Sequence, residues 1–348
     1  MRVFIPVVIV LTLGLLQCCK SSEKTVEVIT PSDLDITFYN VENLFDTIDD
    51  PQKSDEDFTP SGKLQWNTER YQHKLKNLAR VISQDGKELP EVLGLCEVEN
   101  RQVVEDLMKM PAFAGVDYRI LHRESPDGRG IDVALAYNAA VIQFEEVSYI
   151  RSKLPHGDRP NTRLVLYARG MSGGDTLHVF VNHWPSRHGG QQESEPNRLT
   201  VAYNVDQVLD SIRGVNPMAK ILMMGDFNDY PNNKSLVEII QAGKDDDSPM
   251  INLMWDKHKM GEGSYNYRGE WGALDQFVVS PPLVSATKGF QAETETVEFV
   301  RFPWLMYVDK EGVAYPNRTY GGPNYYGGYS DHLSIHMKLT YIKGNNPQ

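Results

Sequence analysis

The sequence predicts a fold of the α and β class, with mixed sheets covered by helices, and two observations predict it. Apolar or alternating runs of strand character recur along the chain. Stretches with helical spacing separate some of these runs, while others follow one another directly, which excludes a purely alternating, all-parallel sheet. In order, the run LDITFYN comes before a helical face of Tyr71, Leu75, Leu78, Ala79 and Ile82. EVLGLCEV, IDVALAYN, RLVLYA and TLHVFVNHW follow as strands. A second helical face, Ala202, Val205, Leu209 and Ile212, is expected to begin just after Pro196. AKILMMGDF, LDQFVVS and LSIHMKLTYI complete the set of strands.

With 348 residues, 41% hydrophobic and 24% charged, the chain has ordinary globular composition. It shows neither an internal repeat nor a long Pro, Gly or Ser linker, so a single domain over residues 34–342 is expected. Ahead of it, Arg2 precedes an apolar stretch from Val3 to Leu16, too short to span a bilayer comfortably and suited to a signal peptide. Cys18 and Cys19, followed by KSSEK, look like the lipidation site of a bacterial lipoprotein; Cys19 is preferred because the residue before it is smaller than Gln17. The expected layout is therefore a leader over 1–19, a short tether over 20–33 and an exported monomer. It would be a membrane-anchored lipoprotein of a bacterial envelope, otherwise secreted or periplasmic. Beyond that pair only Cys96 remains, which excludes a disulfide scaffold and reads as a buried small hydrophobe. The net charge of -12 gives no overall basic face for long nucleic acids, although a local basic cleft stays open. Its acidic runs, DTIDDPQKSDEDFTP and KDDDS, read as solvated loops.

The strand ends carry the chemistry. LDITFYN closes on Asn40 and Glu42, GLCEVEN on Glu97, Glu99 and Asn100, TLHVFVNHW on Asn182 and His183, and MMGDFND on Asp226, Asn228 and Asp229. GALDQFVVS opens with Asp275, and GYSDHLSI opens the last strand with Asp331 and His332. Any one of these groups serves equally well as a turn or cap residue. Six strands with acid, amide or imidazole groups at a terminus point instead to a site held on regular elements.

FYNVENLFD, LCEVEN, NHWPS, GDFND, LDQF and YSDH, in that order from about Leu34 to Lys338, resemble the endonuclease/exonuclease/phosphatase superfamily, most of all its secreted bacterial members. The resemblance implies a four-layer α/β sandwich, two mixed β-sheets face to face flanked by helices, and a phosphoesterase that depends on Mg²⁺ or Mn²⁺. It assigns Asn40, Glu97 and Asp331 to the metal. Asp226 matches the acceptor of the water's proton, Asn228 a donor to water or phosphate, and Asp275 the acid that pairs with His332. His332 then donates to a phosphoryl oxygen or acts as base, so two groups remain open for the proton. His183 matches a second histidine of the nuclease and sphingomyelinase branches, Asp132 an acidic partner in the nuclease branch, and Arg163 a supporting arginine. Arg187 and Arg198, around HGGQQ, read either as phosphate contacts or as parts of a solvated loop.

Three functions follow from this reading. The first is a nuclease-like phosphodiesterase acting on nucleic acid or nucleotides. The second is a phospholipid-headgroup phosphodiesterase or a phosphomonoesterase, of the sphingomyelinase or inositol-phosphate phosphatase kind. The third, a noncatalytic module, would have no need of so complete a set. The tyrosines of YVDKEGVAYPNRTYGGPNYYGGYSDH either stack on a substrate or order a loop.

Overall fold

A computed structural model describes residues 32–155 and 161–343. The expected leader and both lipidation cysteines lie outside these residues. In chain order the first elements are β1 (Leu34–Leu44), α1 (Thr68–Ile82), β2 (Val92–Val98), α2 (Arg101–Met108), β3 (Tyr118–His122), β4 (Asp132–Asn138), β5 (Gln143–Ile150), β6 (Val165–Ser172), β7 (Asp175–His183), α3 (Gln191–Val215) and β8 (Lys220–Asp226). After them come β9 (Ala242–Gly243), β10 (Met250–Asn252), α4 (Trp255–Lys259), β11 (Tyr265–Tyr267), β12 (Glu270–Gly272), β13 (Asp275–Val279), α5 (Pro281–Val284), β14 (Gly289–Phe299), β15 (Met306–Val308), β16 (Ala314–Pro316), β17 (Tyr320–Gly321), β18 (Asn324–Tyr325) and β19 (Ile335–Ile342).

Successive side chains of a strand face opposite ways, so a strand apolar at every position needs a partner layer on each face. In β6, Leu166 and Ala168 join one core while Val165 and Tyr167 join another. In β8, Leu222 and Met224 divide from Ile221 and Met223 in the same way. The first core lies between two mixed sheets, one in the order β14, β19, β1, β2, β4, β3 and the other β5, β6, β7, β8, β13, β10, β9. The sheets meet face to face, β1 and β2 against β8, and β4 against β6 and β7. Gly94 marks how closely: a β-carbon there would come within 2.9 Å of the Met224 terminal methyl. On the outer faces, α1 and α2 cover β1 and β2, and α3 buries Ala202, Val205 and Leu209 in the second core. The architecture is the four-layer sandwich that the resemblance implies.

All eight expected strands form. The α1 face is buried as its spacing predicts, and Asn67 caps the helix by accepting the Arg70 N–H. The second helix differs: α3 begins at Gln191, five residues ahead of Pro196. A proline so near an N-terminus removes at most one helical bond. Side chains also tie the first turn, Arg198 donating to the Gln191 carbonyl at 2.9 Å and Ser194 to the Gly190 carbonyl at 2.6 Å. In the first acidic loop Asp55 is buried rather than solvated, its carboxylate accepting the Asp50 N–H.

Strand pairing decides where the polar ends go. β1 and β2 run parallel, as do β7 and β8, so each pair finishes on the same edge of its sheet. β13 is antiparallel to β8, and β19 to β1, which brings their starting ends to that edge.

Candidate active site

Three strands of one sheet lay acidic and imidazole groups in a row, with His183 in register with Asp226 and Asp226 in register with Asp275. The other sheet meets this row through β-bulges. β2 advances from Cys96 to Val98 while its partner β4 moves only from Val133 to Asp132, leaving Glu97 as the extra residue. Glu97 has φ 62°, and Glu42 and Asn43 at the bulged end of β1 have φ 50° and 54°. Left-handed backbone is uncommon for such residues, and a bulge of this kind re-aims a side chain. Cys96 and Val98 face the core, whereas Glu97 lines the cleft. Burial pushes the Cys96 thiol well above its ordinary pKa, in keeping with an inert side chain.

The cleft is about 800 Å³ and is lined by Glu97, His183, Asp226, Asn228, Asp331 and His332 among others. At its floor Asp275 Oδ2 lies 2.6 Å from His332 Nδ1, both side chains being buried. His332 Nε2 stands 4.0 Å from Asp226 Oδ2. The second histidine, His183, places Nε2 3.8 Å from both Asp226 Oδ2 and Glu97 Oε1. Asn40 joins the halves, its Nδ2 donating to Asp226 Oδ2 at 3.1 Å and to Glu97 Oε1 at 3.4 Å. Asn228, at φ 49°, gives its backbone N–H to Asp226 Oδ1 at 2.9 Å and one side-chain N–H to the Trp184 carbonyl at 3.0 Å.

Burial separates the charge states of these groups. It pushes the Asp226 carboxyl up to about 7; the nearby His332 opposes the rise, as does the Asn228 N–H, while Asp275 and Glu97 add to it. Burial also opposes charge on His332, but the Asp275 carboxylate and its hydrogen bond outweigh it, with Asp226 and Asp331 adding, and hold the ring well above an ordinary histidine. His183 goes the other way: burial, then the positive charges of Arg163 and Arg129, keep it well below its usual value. The floor therefore holds a carboxyl poised near neutrality, a charged imidazole and a neutral one.

The remaining residues of the expected set have the following partners. Asn40 turns its amide nitrogen to the carboxylates and its oxygen to the Glu42 N–H at 3.0 Å. Asp132 is not a cleft residue; its carboxylate accepts the Ser125 N–H at 2.9 Å and pairs with His122 at 3.1 Å, closing the loop between them. Arg163 lies behind the floor, bridging Asp127 and the Trp184 carbonyl. Arg198 is fully buried on Asp229 at 2.7 Å, and so is not available to a substrate. Glu99 receives the Asp46 N–H, Asn100 caps α2, and Asn182 accepts from Trp184 Nε1. Of the late tyrosines, Tyr320 packs on Trp66, Tyr325 under Arg70 and Tyr329 on Trp304. The cleft tyrosines are Tyr230, Tyr265 and Tyr267.

Other contributors had weak signals in the sequence. Arg318 donates to Asp331 Oδ2 at 3.0 Å and to Glu42 Oε1 at 3.1 Å, but it stands in a Tyr- and Gly-rich run with no periodicity. Lys74 did leave a trace: three residues after Tyr71 and four before Leu78, it falls on the apolar stripe of α1. There it is buried, 3.9 Å from Glu42.

Residues 35–341 match the model of the endonuclease/exonuclease/phosphatase family, and the chain belongs to that family, a superfamily of phosphoesterases. No curated protein matches the chain significantly. Among solved structures, a humanized D. rerio TDP2 is similar at TM-score 0.55 and 14% identity, over 88% of this chain and 99% of that one. A Bacteroides thetaiotaomicron mannosyl-6-phosphatase is similar at TM-score 0.54 and 15% identity, over 88% and 100%. The human Nocturnin catalytic domain is similar at TM-score 0.52 and 15% identity, over 90% and 97%. At such identities the likeness is one of fold.

Proposed function

We propose that the chain is a divalent-metal-dependent hydrolase of phosphodiester bonds, acting outside the cytoplasm on a nucleotide-sized or headgroup-sized substrate. The observation that carries this reading is the buried Asp275–His332 pair aimed at Asp226, with Glu97 and His183 on its other side. Glu97 and Asp331 would hold Mg²⁺ or Mn²⁺, with Asn40 orienting Glu97. The donor set fits such an ion. Its ligands are carboxylate oxygens lining the cleft, which suit a hard cation. When bound, the ion supplies charge neutralisation at the phosphoryl oxygens.

The proton chemistry follows from the charge states. Asp226, which titrates near neutrality and is held by Asn40 and the Asn228 N–H, accepts the proton of the attacking water in its ionised form. His332, kept charged by Asp275, donates to a phosphoryl oxygen or to the leaving group. Neutral His183 is a hydrogen-bonding partner and would not repel a cation. The phosphomonoesterase reading has one favouring observation, the mannosyl-6-phosphatase activity named for a protein of similar fold.

A substrate panel tests these readings: plasmid DNA, RNA, sphingomyelin, phosphoinositides, small diesters and sugar phosphates, with Glu97→Ala as the blank and parallel reactions after chelation. Turnover of small diesters that EDTA abolishes and Mg²⁺ or Mn²⁺ restores is expected. Nucleic acid cleavage should be distributive and weaken steeply with salt, by about 0.9 in log affinity per log salt for each duplex phosphate contacted. Full activity of a verified metal-free protein would end the metal assignment, and processive plasmid digestion at physiological salt would end the small-substrate reading.

A further inference from the structure

The cleft carries a guanidinium that no sequence motif singled out. Arg129 lines it together with Glu97, His183, Asp226 and His332. Its side chain is 41% exposed, and its Nε lies 3.5 Å from Asp127 Oδ1, a long contact. Arg187, the other cleft arginine, is already engaged: Nε donates to the Asn228 carbonyl at 2.8 Å, Nη2 to Asn233 Oδ1 at 2.9 Å, and its plane rests 4.0 Å over Tyr230. Arg129 is thus the cleft arginine with donors left for a ligand.

The loop beneath it is held in place from several directions. Buried Asp127 accepts the Arg129 backbone N–H on Oδ1 at 2.9 Å and Arg163 Nη1 on Oδ2 at 3.2 Å. Arg163 continues to the carbonyl of Trp184, the residue after His183. The Gly128 carbonyl accepts the Ser54 N–H at 2.8 Å, and Lys53 Nζ donates to the Asp127 carbonyl at 3.1 Å. Gly130 has φ 70° and lies against the Lys53 stem. Asp132 closes the base of the loop through Ser125. A donor carried on a loop fixed in this way has less to reorganise when charge develops in front of it. Asp132 and Arg163 then act through the loop and not on the substrate.

We propose that Arg129 grips the phosphoryl group, its guanidinium fork meeting the non-bridging oxygens from the wall of the cleft that it shares with Glu97 and His183. This inference rests on the phosphoester-hydrolase reading of the same site. A planar fork matches two phosphoryl oxygens at once, whereas an ammonium supplies charge alone.

Arg129→Gln, Arg129→Lys and Arg129→Ala are compared with the wild type on bis(p-nitrophenyl) phosphate, with inorganic phosphate as competitive inhibitor. Arg129→Gln should lose about 10²- to 10³-fold in kcat/KM, the scale for one preorganised donor. Arg129→Lys should fall between the two. Inhibition by phosphate should weaken about tenfold or more in Arg129→Gln, as a lost charge-assisted contact predicts. Free guanidinium should restore part of the Arg129→Ala activity. Unfolding midpoints should stay near wild type, because an exposed, long ion pair contributes little. Unchanged phosphate inhibition in Arg129→Gln overturns the proposal, as does a loss that tracks a lowered midpoint and resists guanidinium. Should the wild type hydrolyse no phosphoester at all, the reading of the site falls separately, and calorimetric phosphate binding to wild type and Arg129→Gln still decides the role of Arg129.

Discussion

Replacing Asp275 by Asn removes one negative charge with almost no change in volume. The carboxylate is 2.6 Å from His332 Nδ1, and burial of both side chains leaves little solvent to screen them. With charge centres about 4 Å apart and an effective dielectric constant of about 20, the attraction is about 4 kcal/mol. Without that attraction the His332 pKa should fall from its raised value. His332 in Asp275→Asn should therefore hold its proton less firmly, and weakening a charged donor to the transition state should lower kcat by about 10²- to 10³-fold with KM little changed. Stability should also fall. Among the described residues Asp275 Oδ1 has no hydrogen-bond partner, so an amide that keeps its oxygen on His332 leaves a buried N–H unpaired, at about 1–3 kcal/mol. The assay is steady-state hydrolysis of a small diester by wild type, Asp275→Asn, His332→Ala and the double variant, each checked by urea unfolding. The double variant should lose no more than the worse single one, as expected of residues acting as a unit. Undiminished kcat in a folded Asp275→Asn protein, or a double loss equal to the product of the single losses, would refute the pairing.

Lys74 predicts a pH dependence of stability. Its ammonium donates to Thr319 Oγ1 at 2.6 Å, and burial pushes its pKa from 10.5 down to about 8 against the opposing pull of Glu42, Asp331 and Glu97. Between those values the folded chain holds fewer protons than the unfolded one, so stability rises with pH, by at most about 1.4 kcal/mol per unit, and the gain is lost as pH falls through the lower value. Urea unfolding of wild type minus Lys74→Met across that window should show this slope, and parallel curves would count against it. At the N-terminus, a fatty-acid label should enter the full chain and be lost in Cys19→Ser, with the wild type in the membrane fraction; an unlabelled, soluble wild type would mean ordinary export.

The eight strands legible in the sequence are those whose apolar runs face a layer on one or both sides. β3, β5 and β14 were not legible for a physical reason. They lie at or near the sheet edges, and Arg119, Glu145, Glu146, Glu293, Glu295 and Glu298 on their outward faces blur the alternation while protecting those edges from further pairing. α3 was misjudged in its start because side chains, not backbone pattern alone, tie its first turn. Asp132 and Arg129 show the limit for the site. Both belong to one short stretch, and only the loop's closure through Ser125 and Asp127 turns the arginine into the cleft and the aspartate away from it.

That acid, amide and imidazole groups stand at strand termini is legible in the chain alone, since apolar period and terminal residue type are local properties read within a few positions. That they meet is a consequence of strand pairing. Asn40 reaches Asp226 across 186 positions and His332 reaches Asp275 across 57, and both contacts depend on which strands pair parallel and which antiparallel. The charge states are tertiary as well. The same carboxyl and imidazole types titrate ordinarily in water, and it is exclusion from water beside particular neighbours that raises Asp226 to about 7, keeps His332 charged and keeps His183 neutral.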